Sequence, residues 1–181
     1  MKVGIAGAGG LGSNIAMHLV RAGVSGIVIA DFDVVEESNL NRQFYFRDQI
    51  GMKKTDAIII NLKRIDPGAD ITAVDIKLDS DNIAGVFAEC GIVAEAFDKA
   101  DCKAMLLNAL GGAGKKIVAA SGVAGLHTDG IRTRRFGENI KIIGDFVSDN
   151  TQKPLYSAKV GTAAAMMSGI ILEWMGYADE K

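Results

Sequence analysis

The sequence predicts an α/β domain: a mostly parallel sheet held between two layers of helices, extended by an antiparallel hairpin and closed by an apolar C-terminal helix. Three observations predict it. Short apolar runs alternate with segments whose apolar residues recur at helical spacing. A glycine-rich turn joins the first run to the first helical segment, and the second run ends in an acid, Asp31. The chain has 181 residues, a net charge of −2 and 49% hydrophobic residues, which suits one domain over residues 1–181 with a substantial core. The slightly acidic balance argues against bulk attraction to nucleic acid. No apolar stretch reaches membrane-spanning length, and the N-terminus runs straight into a strand rather than a signal peptide. The expectation is a cytoplasmic protein without membrane association.

The elements follow in order. Lys2-Val3-Gly4-Ile5-Ala6 reads as a buried strand. The turn Gly7-Ala8-Gly9-Gly10-Leu11-Gly12 opens a helix over 11–22, with Leu11, Ile15, Leu19 and Ala22 on one face. In this strand–turn–helix context the glycines acquire a phosphate-binding reading. Gly7 permits the tight turn, Gly9 lets the backbone approach a phosphate, and Gly12 lets the helix pack closely on the strand. The helix N-terminus offers free N–H groups to an anion, and Gly10 stands there. A second strand over 26–30 ends at Asp31-Phe32-Asp33, at the carboxyl end where open α/β sheets bind ligands. An acid in the position of Asp31 usually binds ribose hydroxyls. Together these features describe a Rossmann-like, three-layer domain.

Ser38-Asn39-Leu40-Asn41-Arg42-Gln43 has no apolar alternation and reads as a loop. Gly51-Met52-Lys53-Lys54 then opens a helix that buries Ile58, Ile59, Leu62 and Ile65. Loop and helix start face the same nucleotide. Arg42 and Lys54 are cations suited to polyphosphate oxygens, while Asn39 and Gln43 fix orientation without adding charge. Further along, 70–76 and 92–96 read as strands with a helix over 82–90 between them. A helix follows over 99–110, then a strand over 115–120, a hairpin over 130–136 and 139–145, and the apolar helix 160–175. That helix is either buried or at a subunit interface, the core being favoured for Met166 and Met167.

Cys90 and Cys102 form no CxxC pair, fall on predicted helices and read as buried fillers rather than nucleophiles. His18, on the first helix, and His127, in a loop, make no metal-ligand cluster.

The glycine turn, Asp31-Phe32-Asp33, Ser38 to Gln43, Gly51 to Lys54, Glu95-Ala96-Phe97-Asp98, Ser121-Gly122 and Lys159-Val160-Gly161 together resemble the ThiF/MoeB family. These are bacterial relatives of ubiquitin-activating enzymes. The resemblance covers almost the whole chain and is most like the short ThiF-type proteins of thiamine biosynthesis. It implies ATP-dependent adenylation of the C-terminal glycine of a ubiquitin-like, ThiS-like sulfur carrier. Gly7, Gly9, Gly10 and Gly12 would frame the phosphates and Asp31, with Asp33 beside it, the ribose side. Asn39, Arg42 and Gln43 would contact the phosphates and the attacking carboxylate. Lys54 would neutralise the phosphoryl charge, and Asp98 would bind Mg²⁺. Lys103 is a weaker candidate of the same kind. Read from the residues alone, Asp98 is equally a helix cap.

The resemblance also implies a homodimer, with a hairpin extending the sheet in mixed orientation. The paired cysteines that hold structural zinc in many relatives have no counterpart here, so no zinc is expected. Relatives usually begin with a helix carrying an Arg that reaches the partner's ATP. Arg132, Arg134 and Arg135 are available substitutes, although a solvated strand face is the favoured reading for them. Two other functions compete. An NAD-dependent oxidoreductase explains the glycine turn and Asp31 but leaves Asn39, Arg42, Lys54 and Asp98 idle. A non-catalytic nucleotide-binding partner of the same fold is the other.

Overall fold

The computed structural model describes residues 1–178. Seven strands form one sheet: β1 (Lys2–Ala6), β2 (Ile27–Asp31), β3 (Ile71–Asp75), β4 (Cys90–Glu95), β5 (Lys116–Ala120), β6 (Arg132–Phe136) and β7 (Ile140–Gly144). Their spatial order is β3-β2-β1-β4-β5-β7-β6. All neighbours are parallel except β6 and β7, so the expected hairpin extends the sheet in antiparallel sense. The helices are α1 (Gly10–Arg21), α2 (Lys54–Ile65), α3 (Ile83–Val86), α4 (Ala100–Leu110) and α5 (Ser157–Met175).

β1 shows why the central strands read as unbroken apolar runs. It is covered on both faces, so both sets of alternating side chains are buried. Val3 and Ile5 join the core under α1, α2 and α5, whereas Ala6 joins the core under α3 and α4. Gly4 also faces that second layer: a Cβ there would lie 2.5 Å from the Phe87 ring. Leu11, Ile15 and Leu19 of α1, Ile58 and Leu62 of α2, and Val160, Ala163, Met167 and Ile171 of α5 close the first layer. Met167 is fully buried and Met166 partly so, which bears out the core reading of α5.

Two expectations need correction. The helix expected over 82–90 is a single turn, Ile83–Val86. Cys90 is not helical but the first residue of β4, paired with Lys2. The sheet claims that stretch because Cys90 and Ile92 must sit beside β1.

The topology fixes where a ligand belongs. The chain runs outward from β1 to β3 on one side and from β4 onward on the other. Neighbouring β1 and β4 therefore send their connections to opposite layers, and the crevice beyond their carboxyl ends is the switch point of the sheet. The glycine turn leaves β1 there, and Phe97-Asp98 leaves β4 beside it.

Candidate functional site

The glycine turn is shaped by close contact. Gly7 has a φ of +99°, and a Cβ on it would lie 3.0 Å from the Ala96 carbonyl oxygen at the end of β4. A Cβ on Gly12 would lie 1.8 Å from the Gly7 carbonyl oxygen, so no side chain fits there. α1 begins at Gly10 with Gly9 as its N-cap, and no side chain caps its first amides, leaving them open to an anion.

The polar loop lies against this turn. A Cβ on Gly9 would sit 3.9 Å from Gln43 Nε2, and one on Gly10 would sit 3.6 Å from Arg42 Cγ. Gln43 Oε1 is a buried polar atom without a hydrogen-bond partner among the described residues. A buried amide oxygen normally has a partner, so this one retains an unused acceptor capacity. Arg42 is half-buried, and its Nη1 donates to the Ser38 carbonyl (3.0 Å) and Asn41 Oδ1 (2.8 Å). Neither partner is a carboxylate, so among the described residues its positive charge has no ion-pair partner.

Asn39 lies in a 3-10 turn, Glu37–Asn39, within what the sequence reads as loop. Its Oδ1 accepts the Glu36 N–H at 3.1 Å, so this buried side chain shapes the loop from inside.

Lys54 opens α2, is 5% exposed, and donates from Nζ to Asp33 Oδ2 at 2.8 Å. Asp33 is half-exposed, so the pair sits at the mouth of the site with the ammonium on the inner side. Asp31 is buried at the end of β2. Its Oδ2 accepts the Ala8 N–H (2.6 Å) and its Oδ1 the Asp33 N–H (2.8 Å). It therefore holds the glycine turn to the second strand, a job invisible in the sequence. Phe32 projects between the two acids, 55% exposed, with Lys77 Nζ 5.8 Å from its ring centre.

Asp98 lies in the turn between β4 and α4, exposed. It caps nothing: α4 takes Lys99 as its N-cap, without a side-chain cap. The capping alternative therefore falls away. Lys103 is paired with a carboxylate. Its Nζ donates to both oxygens of Glu95 (3.0 and 2.9 Å), a fully buried carboxylate at the end of β4. Glu95 Oε1 also accepts the Phe97 N–H at 2.7 Å, fixing the turn that leads to Asp98. Burial pushes the Glu95 carboxyl above its ordinary range, against the pull of Lys103. Arg132, Arg134 and Arg135 lie on β6, the outer edge of the sheet, away from the glycine turn.

A second cluster flanks the site. Lys159, 4% exposed in its side chain, donates to Asp145 Oδ2 (2.6 Å) and the Ala124 carbonyl (2.7 Å). Burial pushes the Asp145 carboxyl up. The Lys159 ammonium and the Ser148 and Val147 N–H groups outweigh it and hold the carboxyl well below the usual range. The pair borders a cavity of 370 Å³ lined by Ala124, His127, Asp145, Lys153 and Tyr156 among others. The next residue, Val160, would lie 3.1 Å from a Cβ on Gly10, so α5 ties this cavity to the glycine turn.

Among the described residues no group of three or more His, Cys, Asp or Glu side chains is placed to hold a metal ion by itself. No helix among them is long and apolar enough to cross a membrane.

The site thus combines a glycine cradle, open helix amides, an unneutralised guanidinium, a buried ammonium and an exposed carboxylate. That set suits a polyphosphate. Sequence reasoning missed Ser13, Asn14 and Tyr45, which bind the turn to the loop. The one available signal was the polar pair Ser13-Asn14 directly after the last glycine.

Several known proteins are similar to this chain in sequence or in fold. The molybdopterin-synthase adenylyltransferase of Haemophilus influenzae is 34% identical over 106 residues, 58% of this chain and 44% of that protein. The adenylyltransferase and sulfurtransferase UBA4 of Candida glabrata is 36% identical over 123 residues, 67% of this chain and 28% of that protein. The chain thus spans less than half the length of these relatives. Among solved structures, the tRNA N6-threonylcarbamoyladenosine dehydratase TcdA of E. coli, in complex with AMP, superposes with a TM-score of 0.87 at 20% identity. It covers 97% of this chain and 85% of its own. E. coli MccB gives a TM-score of 0.76 at 18% identity, over 97% of this chain and 56% of its own. Both share the fold. The ThiF family pattern matches residues 1–175, and the chain belongs to the ThiF family.

Proposed function

We propose that this protein transfers adenylate from ATP to the C-terminal glycine carboxylate of a ubiquitin-like sulfur carrier, ThiS-like and serving thiamine biosynthesis, with release of pyrophosphate. The observation that carries the reading is the convergence of Arg42, Gln43 and the open α1 amides on Gly9 and Gly10, with Lys54 alongside. Attack of a carboxylate on the α-phosphate brings two anions together. Catalysis must therefore align them and neutralise the phosphate oxygens. Arg42 and Lys54 supply fixed positive charge, and the Gln43 amide can turn either its oxygen or its NH₂ toward a ligand. No general base is needed, because the carrier's carboxylate is ionised near neutral pH.

The donor set also fits Mg²⁺. Asp98 is exposed and makes no side-chain hydrogen bond among the described residues, and Mg²⁺ takes one or two carboxylates and completes its shell with phosphate and water. When bound, the ion supplies neutralisation of phosphate charge. Phe32 offers an exposed aromatic face at the strand end, suited to a base. The 370 Å³ cavity beside Lys159 is the space assigned to the carrier's C-terminal tail, since α5 links it to Gly10. Relatives named as adenylyltransferases support this activity. A homodimer in the cytoplasm belongs to the same reading.

The test is ATP–pyrophosphate exchange with Mg²⁺, with and without a ThiS-like carrier ending in Gly-Gly. Carrier-dependent exchange is expected. ATP binding without exchange for any carrier would replace this reading with a non-catalytic nucleotide-binding partner.

A further inference from the structure

Three consecutive carbonyls of the glycine turn each accept a hydrogen bond from a side chain. Tyr45 Oη donates to Ala8 (2.8 Å), Ser13 Oγ to Gly9 (2.6 Å) and Asn14 Nδ2 to Gly10 (2.6 Å). The same side chains hold the polar loop. Asn14 Nδ2 also donates to the Arg42 carbonyl (2.9 Å), and Ser13 Oγ accepts the Phe44 N–H (3.0 Å). Tyr45 is itself part of that loop. An amide NH₂ carries two donors and a hydroxyl both donates and accepts, so each bridge uses one group to its capacity. The Tyr45 hydroxyl is buried, and burial with Asp31 and Asp33 nearby pushes its phenol far up, so it remains a donor.

Two consequences follow from this geometry. The turn's carbonyl oxygens are committed to side chains, which keeps these partial negative charges from swinging toward a bound anion while the N–H groups stay available. And the backbone of Arg42 is bonded to the group that holds Gly10. The guanidinium is therefore delivered from a fixed base rather than from a free loop, the condition under which charge stabilisation needs no reorganisation.

We propose that Asn14, assisted by Ser13 and Tyr45, is a positioning residue that locks the Arg42–Gln43 loop onto the glycine turn, so that the two phosphate-binding segments form one pre-assembled unit. Its kinetic consequence rests on the adenylation reading; its structural consequence does not. Asn14 is only half-buried, so Asn14→Ala is compatible with folding.

The first measurement is amide hydrogen exchange of peptides covering 38–46 in the nucleotide-free protein, with ATP affinity measured alongside. Asn14→Ala raises exchange in that segment and weakens ATP about tenfold, as expected for losing one or two hydrogen bonds, while peptides from β1 and β4 stay as protected as before. Tyr45→Phe moves both readouts in the same direction. Unchanged loop exchange and ATP affinity in Asn14→Ala would overturn the lock, even if no carrier supported pyrophosphate exchange and the adenylation reading itself had failed. With an active carrier, a double-mutant cycle adds a readout that a merely structural role would not move. Asn14→Ala lowers the turnover of the parent protein but not that of Arg42→Ala, because the guanidinium it serves is gone. Independent, multiplying effects would show that Asn14 does not act through Arg42.

Discussion

Splitting the Lys159–Asp145 pair should destabilise the protein unequally, depending on which partner is removed. Removing one partner of a buried pair costs about 3–5 kcal/mol because the survivor is left charged and unsatisfied. After Asp145→Ala, Lys159 is nearly inaccessible and retains only the Ala124 carbonyl. The Val147 and Ser148 amides also lose their acceptor. The full cost of about 3–5 kcal/mol applies. After Lys159→Met, Asp145 keeps both of those amides and is 19% exposed in its side chain, so water reaches it. About 1–2 kcal/mol is expected there. Urea denaturation at neutral pH gives both values. A larger loss for Lys159→Met, or losses below about 0.5 kcal/mol for both, would refute the reasoning. The pH dependence gives a second check. The folded carboxyl lies below its unfolded value, so its contribution is fully present above about pH 5. It is lost as pH falls through the folded value. The advantage of the parent over Asp145→Asn should be flat from pH 7 to about 5 and shrink below about 4.

Other substitutions test the site. Asp98→Ala should abolish Mg²⁺-dependent pyrophosphate exchange without shifting thermal unfolding, since the side chain is exposed; normal exchange would remove Asp98 from the site. Arg42→Ala should cut turnover by roughly two orders of magnitude or more, the scale of losing a charge clamp, and near-normal rates would overturn its role. Gly12→Ala should displace the turn, because the new methyl meets the Gly7 carbonyl at 1.8 Å; loss of ATP binding in a still-folded protein is expected, read by calorimetry. Replacing Arg132, Arg134 and Arg135 together by Ala should leave ATP affinity unchanged, and weakened binding would mean that the strand of a partner subunit reaches the nucleotide.

The fold was legible because the central strands are covered on both faces. Strands such as β1 and β2 then have to be short apolar runs, and the glycine turn and Asp31 mark the ends of two of them. Legibility failed where the cue was local but the cause was distant. Ile83, Val86 and Phe87 have helical spacing, and Ile83 and Phe87 are indeed fully buried. Only β1, far away in the chain, determines that Cys90 belongs to a strand. The site behaves alike. Residue type and position singled out Arg42, Gln43 and Lys54 as neighbours of the turn. They gave no sign that Asp31 accepts the Ala8 amide, or that Lys103 is held by Glu95. Those bonds depend on which strand ends meet, which composition and periodicity do not encode.

Sheet order explains why the candidate site residues lie near β1 and β4 rather than at the β6 edge. β6 lies four strands from β1, and at about 4.8 Å per strand that separation is roughly 19 Å. An arginine on β6 of the same chain stands too far out to share a phosphate with Gly9 and Gly10. It stacks instead on local partners: the Arg134 guanidinium carbon lies 4.1 Å from the centre of the Phe146 ring. Arg42 needs no such reach. It arrives on a loop bonded to α1 through Asn14 and Ser13, and α1 begins in the glycine turn. The sheet therefore separates two regions. The segment from β1 to the start of α2 carries the proposed phosphate site, and Asp98 stands at the switch point beside it. β6, at the far edge and exposed along its length, stands apart from it. Substitutions on β6 should accordingly leave nucleotide binding alone, whereas changes at Ser13, Asn14 or Tyr45, none of which carries charge, should not.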